Sequence, residues 1–448
     1  MLDIKFIREN PEEVSRAMQN RGVDFDMKYL LDLDARRRAK IAEVDEMRAR
    51  QNDFVEAIAC APASERQGKI EESRALKEKL GHREFEMKAL EEEFVDLMRR
   101  LPNIPLPDAP IGKDERDHVV VREVGEKPQF DFMPRDYTEI VAGIGLVDTE
   151  RAGKVSGSRF GYLTNEAALL EFALVRFALE RLMKKGFVPI VPPVMIREEM
   201  MRGMGYIDTD EDREERYFLE KDKLFLVGTG EQSVVPMHAD EIFDEKDLPR
   251  RYAAFSTCFR REAGSYGKDT KGILRAHQFD KVEMVTFTKP GDSASEHEFL
   301  LAAEEELMQE LKIPYRVVAL ATGDLSRPSA ATYDIEAWLP GQDGGRGQYR
   351  ETHSCSNTTD FQARRLNIKY ESRSRVSRQP EGSTSTIVES VLPLTRKYVH
   401  ILNGTAFAIG RMIIAILENY QQGDGSALIP GALQPYMGGM RAIGPSKK

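Results

Sequence analysis

The stretch STCFRREAGSYGKDTKGILRAHQFDKVEMVTF, Ser256 to Phe287, decides how this chain is read. A short apolar run passes at once to Arg260, Arg261 and Glu262, then to a Gly-rich charged loop, then to an alternating strand that carries Phe279 and Glu283. The pattern is strand, loop, strand, with charges fixed at the rims of a hairpin. Strand ends hold side chains rigidly, and a long polar loop between them can close over a ligand. A guanidinium with carboxylates nearby suits a small molecule bearing both phosphate and ammonium groups.

Working outward from this hairpin, Tyr252–Phe259 and Gln278–Phe287 are its strands, and Ser295–Leu311 follows as a helix. Tyr315–Leu320, Thr332–Trp338 and Gln348–Ser356 alternate as further strands, and Thr405–Tyr420 reads as a final helix. Upstream, Glu166–Lys184 is a long apolar-rich helix. Phe187–Val194 (FVPIVPPV) is apolar but studded with proline, which a central strand tolerates poorly, so an edge strand at a subunit boundary is expected. Leu224–Val227 is a short strand and Glu231–His238 begins a helix. The sum is α+β, an antiparallel sheet flanked by helices with no βαβ repeat.

The first hundred residues differ. Leu30, Leu33, Arg37, Ile41, Val44, Met47, Gln51, Phe54 and Ile58 recur at three- and four-residue steps, with Arg37 and Gln51 the polar exceptions. After a break expected over Ala59–Gly68, a second seam runs through Ile70, Ser73, Leu76, Leu80, Met87, Leu90, Phe94, Leu97 and Leu101. Two such helices should fold back as a long antiparallel coiled-coil hairpin. It is either a solvated spacer or dimerisation rod, or an arm that reaches for a large partner; periodicity alone does not choose. Pro102, Pro105, Pro107 and Pro110 and the charged run Lys113–Asp117 suggest a connection between domains. The expected division is a helical arm over 1–110, a linker over 111–129 and a larger domain over 130–448.

The 448 residues exceed one typical core, and 41% hydrophobic with 31% charged residues describes a soluble globular protein. A formal charge of -10 argues against a basic coat, though not against a local basic patch. No apolar run approaches the roughly 20 residues of a membrane span, and the charged start MLDIKFIREN lacks a signal-peptide core. Cys60, Cys258 and Cys355 form neither a metal-spacing pair nor a disulfide framework, so a cytoplasmic setting is expected.

The chain has no GxxxxGK[ST] loop and no GxGxxG after a strand, so any nucleotide site is of another kind. Arg260 can neutralise a phosphate; so can Arg261, though strand neighbours face opposite ways. ETHSCSN, Glu351–Asn357, places Glu351 and His353 at alternating positions, expected on one face. A carboxylate beside Ser354 can hold a divalent ion over phosphates, while Ser, Thr and Asn also cluster wherever a strand turns. His353 has no partner at ligand spacing and reads as an ordinary polar histidine. Arg411 sits in TAFAIGRMIIAIL, where an arginine is costly unless it is paired or binds an anion. Arg260 and Arg411 together can hold two phosphates of one nucleotide.

With these segments in view, the chain resembles the bacterial-type seryl-tRNA synthetases over essentially its whole length. GFVPIVPPVM (Gly186–Met195, with Pro193) resembles the first class II signature, FRREAG (Phe259–Gly264) with HQFDKVE (His277–Glu283) the second, and NGTAFAIGR (Asn403–Arg411) the third. CSNTTDFQARR (Cys355–Arg365) and ENYQQGDG (Glu418–Gly425) are also close to the family's wording, and the hairpin resembles its tRNA-binding arm. The resemblance implies an ATP- and Mg2+-dependent, cytoplasmic, homodimeric ligase. It would join L-serine to tRNA(Ser), and to tRNA(Sec) where the host has one, with neither DNA nor a membrane as partner.

It also implies roles. Arg260 would contact the ATP α-phosphate and the serine carboxylate, Glu262 the adenine amino group, Phe279 the adenine face and Arg411 the γ-phosphate; Arg260, Glu262 and Arg411 form the catalytic set. Glu351 and Ser354 would meet the phosphates and hold Mg2+. Thr229 and Glu231 would bind serine chiefly at its ammonium group, Glu283 and Thr405 its hydroxyl, with Asn403 shaping that wall. On the arm, Arg36, Arg37, Arg38, Lys40, Arg48, Arg50, Lys77 and Lys79 are candidate tRNA contacts, unless neighbouring acids pair with them. Three departures stand out: Thr229-Gly230-Glu231 where the family has Thr-Ala-Glu, His353 before Ser354-Cys355-Ser356-Asn357 where Ser-Ser-Cys-Ser-Asn is usual, and a longer loop over Gln342–Gln348.

Overall fold

A computed structural model describes residues 1–262, 272–372, 375–378, 388–391 and 394–444. The loop expected to close over a ligand, 263–271, lies outside the described residues, as does Gly264 of the second signature. The chain divides into two units, Met1–Pro102 and Asn103–Lys448.

In the first unit, two short helices, α1 (Ile4–Glu9) and α2 (Pro11–Asn20), precede the long pair α3 (Met27–Cys60) and α4 (Ala63–Arg100). Asp3 caps α1 through Lys5 N, and Asp26 caps α3 through Tyr29 N. The break between the long helices is narrower than the expected Ala59–Gly68: only Ala61 and Pro62 lie outside helix. Pro62 occupies the N-cap with ψ 152°, where its missing N–H costs nothing. Leu30, Leu33, Val44, Phe94 and Leu101 of the seams are buried, while Ile70 is 41% exposed and stands outside it. The polar seam positions have partners. Arg37 lies 4.1 Å from the Phe94 ring centroid and pairs with Glu91 at 2.8 Å and Asp34 at 3.2 Å. Gln51 Nε2 donates to Ser73 Oγ at 2.8 Å.

The second unit is built on one eight-stranded sheet. In chain order its strands are β1 (Val119–Val124), β2 (Val188–Ile190), β3 (Arg250–Phe259), β4 (Gln278–Thr288), β5 (Tyr315–Ala319), β6 (Ala331–Leu339), β7 (Gln348–Asn357) and β8 (His400–Ala408). The spatial order is β1-β5-β6-β7-β8-β4-β3-β2. Three expectations change. The segment 111–129, expected as a linker, contributes β1 to the sheet, paired with β5. The sheet is not wholly antiparallel, because β2 runs parallel to β3. As an edge strand, β2 tolerates Pro189, since one side of its backbone needs no ladder partner. Thr405–Ala408, expected as the start of the last helix, instead completes β8, whose ladder with β4 continues to the pair Lys281↔Ala408.

The helices packed on the sheet include α5 (Glu166–Lys184), α6 (Ser293–Glu310) and α7 (Ile409–Asn419). Leu170, Phe177, Leu300, Leu307, Ile413 and Leu417 meet Val282, Met284, Leu402 and Phe407 of the strands in one core. Burying each such side chain stabilises by about 1.5–3 kcal/mol, and that fixes the register of β4 and β8. A small antiparallel sheet of Met195–Arg197, Leu224–Leu226 and Phe218–Leu219 leads the chain into the turn at Gly228–Glu231. Two register shifts mark the open face. One skips Ala406 between Val282↔Phe407 and Glu283↔Thr405; the other skips Thr352 between Ile335↔His353 and Glu336↔Glu351. Such bulges re-aim side chains near sites. No described helix is long and apolar enough to cross a membrane.

Candidate active site

Alternate residues Phe279, Lys281 and Glu283 of β4 line one side of a cavity of about 400 Å³; Ser354 and Ser356 of β7 and Asn403 and Thr405 of β8 line another. Arg260, Glu262, Thr229, Glu231, Glu351 and Arg411 face the same space, so every residue expected at the small-molecule site is brought to one cavity.

Arg260 follows the last residue of β3. Its backbone N–H donates to His277 O at 3.0 Å and its Nε to Gly228 O at 3.1 Å, so two elements orient the guanidinium. That group lies 5.3 Å from the Phe279 ring centroid, within cation–π reach. Glu262 sits at φ 52° and pairs with Arg275 Nε at 3.1 Å, while Arg159 Nη1 donates to its carbonyl at 3.1 Å. The arginine in the apolar third signature is paired: Arg411 Nη1 lies 2.9 Å from Glu351 Oε1 and donates to Glu351 O at 3.0 Å. Burial works to raise the Glu351 pKa, but Arg411 and then Arg260 outweigh it and hold the carboxyl below its ordinary range.

Asp334 stands opposite Ser354 in the β6–β7 ladder and is driven well above its usual range, first by burial and then by Glu351. Its Oδ1 is buried without a hydrogen-bond partner among the described residues. Glu351 and His353 do not share a face, contrary to the alternation expected. The bulge at Thr352 turns Glu351 to the cavity and His353 to the core, where its ring packs edge-on against Phe407. There His353 is 1% exposed, its Nδ1 is 2.8 Å from Thr352 Oγ1, and burial pushes it down to about 3. It is a neutral core histidine. No His/Cys/Asp/Glu group among the described residues forms a metal cage by itself.

At the other end of the cavity, Gly228 N donates to Gln232 Oε1 at 2.7 Å, which closes the turn carrying Thr229 and Glu231. Glu231 is 2% exposed; Oε1 accepts from the Tyr206 hydroxyl, while Oε2 and Thr229 Oγ1 have no partner among the described residues. Burial, and then the charge of Glu283, push Glu231 up to about 7. Glu283 is buried, paired with Lys281, and directly opposite Thr405. Gly230 has a packing reason. A Cβ there would sit 3.2 Å from both Ala254 Cβ and Ser256 Oγ, so glycine lets this turn approach the sheet more closely than alanine would.

Sequence reasoning missed several lining residues, among them Tyr206, Arg216, Arg275 and Lys281. Lys281 was legible, since it alternates with Phe279 and Glu283 on β4. Arg216 and Tyr206 arrive from short, aperiodic segments that carry no pattern.

The arm candidates divide. Arg36 pairs with Asp32 at 3.7 Å, Arg38 with Asp34 at 3.0 Å and Arg50 with Glu46 at 2.6 Å along one helix. Arg37, Lys40 and Arg48 bridge the two long helices to Glu91, Glu86 and Glu84 at 2.8, 3.0 and 2.8 Å. Lys77 and Lys79 are exposed and carry no ion pair among the described residues.

Comparison with known proteins assigns both units. Residues 217–420 match the family described as tRNA synthetase class II core domain (G, H, P, S and T), and residues 1–105 match the seryl-tRNA synthetase N-terminal domain. The serine–tRNA ligase of Dictyoglomus turgidum is 44% identical over 441 residues, 98% of each chain. That of Rubrobacter xylanophilus is 42% identical over 449 residues, 100% of each. The crystal structure of seryl-tRNA synthetase from Pyrococcus horikoshii complexed with ATP superposes with a TM-score of 0.86 at 40% identity, covering all of both chains. The serine–tRNA ligase of Naegleria fowleri in complex with AMP follows at 0.83 and 31%, covering 100% of this chain and 99% of that one.

Proposed function

The chain belongs to the seryl-tRNA synthetases, with the activity of a serine–tRNA ligase, and on that premise we propose how its residues divide the work. The observation that carries the reading is the polarity of the cavity. Arg411 is paired with Glu351, Glu231, Glu283 and Thr405 form a separate group, and Arg260, bonded to Gly228 O with Phe279 beside it, stands between the two. Phosphates belong with the guanidinium groups, and an ammonium and a hydroxyl with the carboxylates.

ATP lies with its adenine on Phe279 and its amino group toward Glu262, which Arg275 holds in place. Arg411, steadied by Glu351, takes the γ-phosphate. Serine lies with its ammonium on Thr229 and Glu231 and its hydroxyl on Glu283 and Thr405, against the wall of Asn403. A serine carboxylate oxygen attacks the α-phosphorus, the bond to pyrophosphate breaks, and Arg260 offsets the charge that grows there. The terminal ribose hydroxyl of tRNA then attacks the seryl carbonyl and AMP leaves. Alanine and glycine are refused because a buried Glu283 would keep an unmet acceptor; threonine is refused by lack of room.

Glu351 and Ser354, with the unmet Oδ1 of Asp334 behind them, offer hard oxygen donors but too few for a protein cage. That suits Mg2+, which is typically held by one or two carboxylates together with substrate phosphates. Bound there, it would neutralise phosphate charge.

The arm presents tRNA(Ser), and tRNA(Sec) where present, through shape and backbone contacts, with Lys77 and Lys79 among its cations that carry no ion pair among the described residues. The protein works as a cytoplasmic homodimer, each arm serving the partner's cavity. Exposed Leu169, Phe172, Val188 and Val191 on α5 and around the edge strand supply an apolar face for that pairing. The three cysteines are unpaired thiols, in keeping with a reducing compartment. The test is aminoacylation of transcribed tRNA(Ser) and tRNA(Sec) with labelled serine. Charging of tRNA(Ser) is expected, and its absence with a folded, serine-activating enzyme would overturn the assignment of the arm.

A further inference from the structure

Arg216 lines the cavity and meets Glu231 through the ring of Tyr206. It comes from the segment just before Phe218–Leu219, which the small three-stranded sheet fixes in place. Its guanidinium makes no ion pair with a carboxylate among the described residues; Nη1 donates weakly to Glu215 O at 3.4 Å, and Nε is buried without a partner. It stands 5.5 Å from the ring centroid of Tyr206, whose hydroxyl is committed to Glu231. Burial, then the like charge of Arg260, pull its pKa down. A largely buried guanidinium beside another, with no carboxylate at ion-pair distance and only the longer-range charges of Asp212 and Glu215 to offset it, is an unfavourable arrangement for a resting protein. It becomes favourable once an anion enters between them.

We propose that Arg216 is a substrate-binding residue, a second guanidinium that receives the carboxylate of the amino acid. The inference rests on the serine-ligase reading and adds to it. With the ammonium on Glu231 and Thr229, a carboxylate one carbon away falls on the side of the cavity that Arg216 and Arg260 share. Two guanidinium groups then orient the nucleophile: Arg260 can follow its oxygen toward phosphorus while Arg216 keeps the amino-acid end in place. Tyr206 couples the pair, since one face of its ring meets Arg216 and its hydroxyl meets Glu231, so ammonium and carboxylate are gripped as one unit. Arg411, held by Glu351 at the far end, is unavailable for this task.

The test is amino-acid-dependent ATP–pyrophosphate exchange with full-length Arg216→Met, Arg216→Lys and wild type, with L-serinamide as a competitive probe that lacks the carboxylate. Arg216→Met is expected to raise the KM for serine tenfold or more and leave the KM for ATP within twofold. The inhibition constant of serinamide should be unchanged, and Arg216→Lys should restore part of the serine affinity. Equal weakening of serine and serinamide would make Arg216 a structural residue and overturn the proposal. So would a rise in the ATP KM alone, or an effect confined to transfer onto tRNA. Absence of serine-dependent exchange by the wild type would instead sink the ligase reading itself, so the two failures are distinguishable.

Discussion

Serine affinity should depend on pH through Glu231. Its carboxyl is buried and faces Glu283, which together lift its pKa to about 7 in the free enzyme. An ammonium group binds the ionised form, so binding below pH 7 must first remove a proton. At pH 6 roughly one molecule in ten has Glu231 ionised, and at pH 8 roughly nine in ten. The KM for serine in pyrophosphate exchange should therefore be about tenfold higher at pH 6 than at pH 8, with a slope near one decade per unit below 7. The KM for ATP should not follow it. Glu231→Gln should show a high, flat serine KM across the range. Folding runs the other way. A raised carboxyl pKa contributes stability that is full below the ordinary carboxylate range and lost as pH rises through about 7. Serine should accordingly raise Tm more at pH 8 than at pH 6. A wild-type serine KM that is flat between pH 6 and 8, or the same slope persisting in Glu231→Gln, would refute the assignment of the ammonium to this carboxylate.

Glu283→Gln should lower kcat/KM for serine roughly 10- to 100-fold, the loss of a hydrogen bond to a charged group worth about 1.5–3 kcal/mol, while the low rate with alanine changes little; competition assays measure that ratio. Removing Asp26–Leu101 should leave serine activation largely intact in a folded protein and abolish charging, and equal loss of both activities would contradict the division of labour. Asn103→Ala should cost about 2–3 kcal/mol of stability, read as a lower Tm, because buried Nδ2 donates to Pro328 O, Thr358 O and Thr359 Oγ1 at 2.9, 2.8 and 3.0 Å.

Much of this architecture was legible because it rests on short-range patterns. The alternation of Phe279, Lys281 and Glu283 with the core residues Val282 and Met284 marks β4, and the three- and four-residue steps from Leu30 to Ile58 mark α3. The cavity residues were legible through the signatures that hold them. Local pattern failed where tertiary packing overrode it. Thr405–Ala408 resembles the helix that follows, yet it continues β8 because β4 supplies its hydrogen-bond partners. Residues 119–124 (VVVREV) carry the β-branched residues of a strand but follow a proline-rich and charged run that reads as a connection, and pairing with Tyr315–Ala319 makes them a strand although all but one are exposed. The face of Glu351 depends on one skipped residue at Thr352, which no periodicity reveals. Arg216 was invisible for a related reason: its neighbours Tyr206 and Arg260 are distant in sequence, and only the fold brings the three to one wall.

The cavity between β4, β7 and β8 is the proposed site of serine activation. That role is tested most directly by ATP–pyrophosphate exchange without tRNA, offering serine, threonine, alanine and glycine side by side. Exchange should strongly favour serine, with Glu283 and Thr405 reading the hydroxyl. Preference for alanine or glycine, or no exchange by well-folded protein, would contradict it.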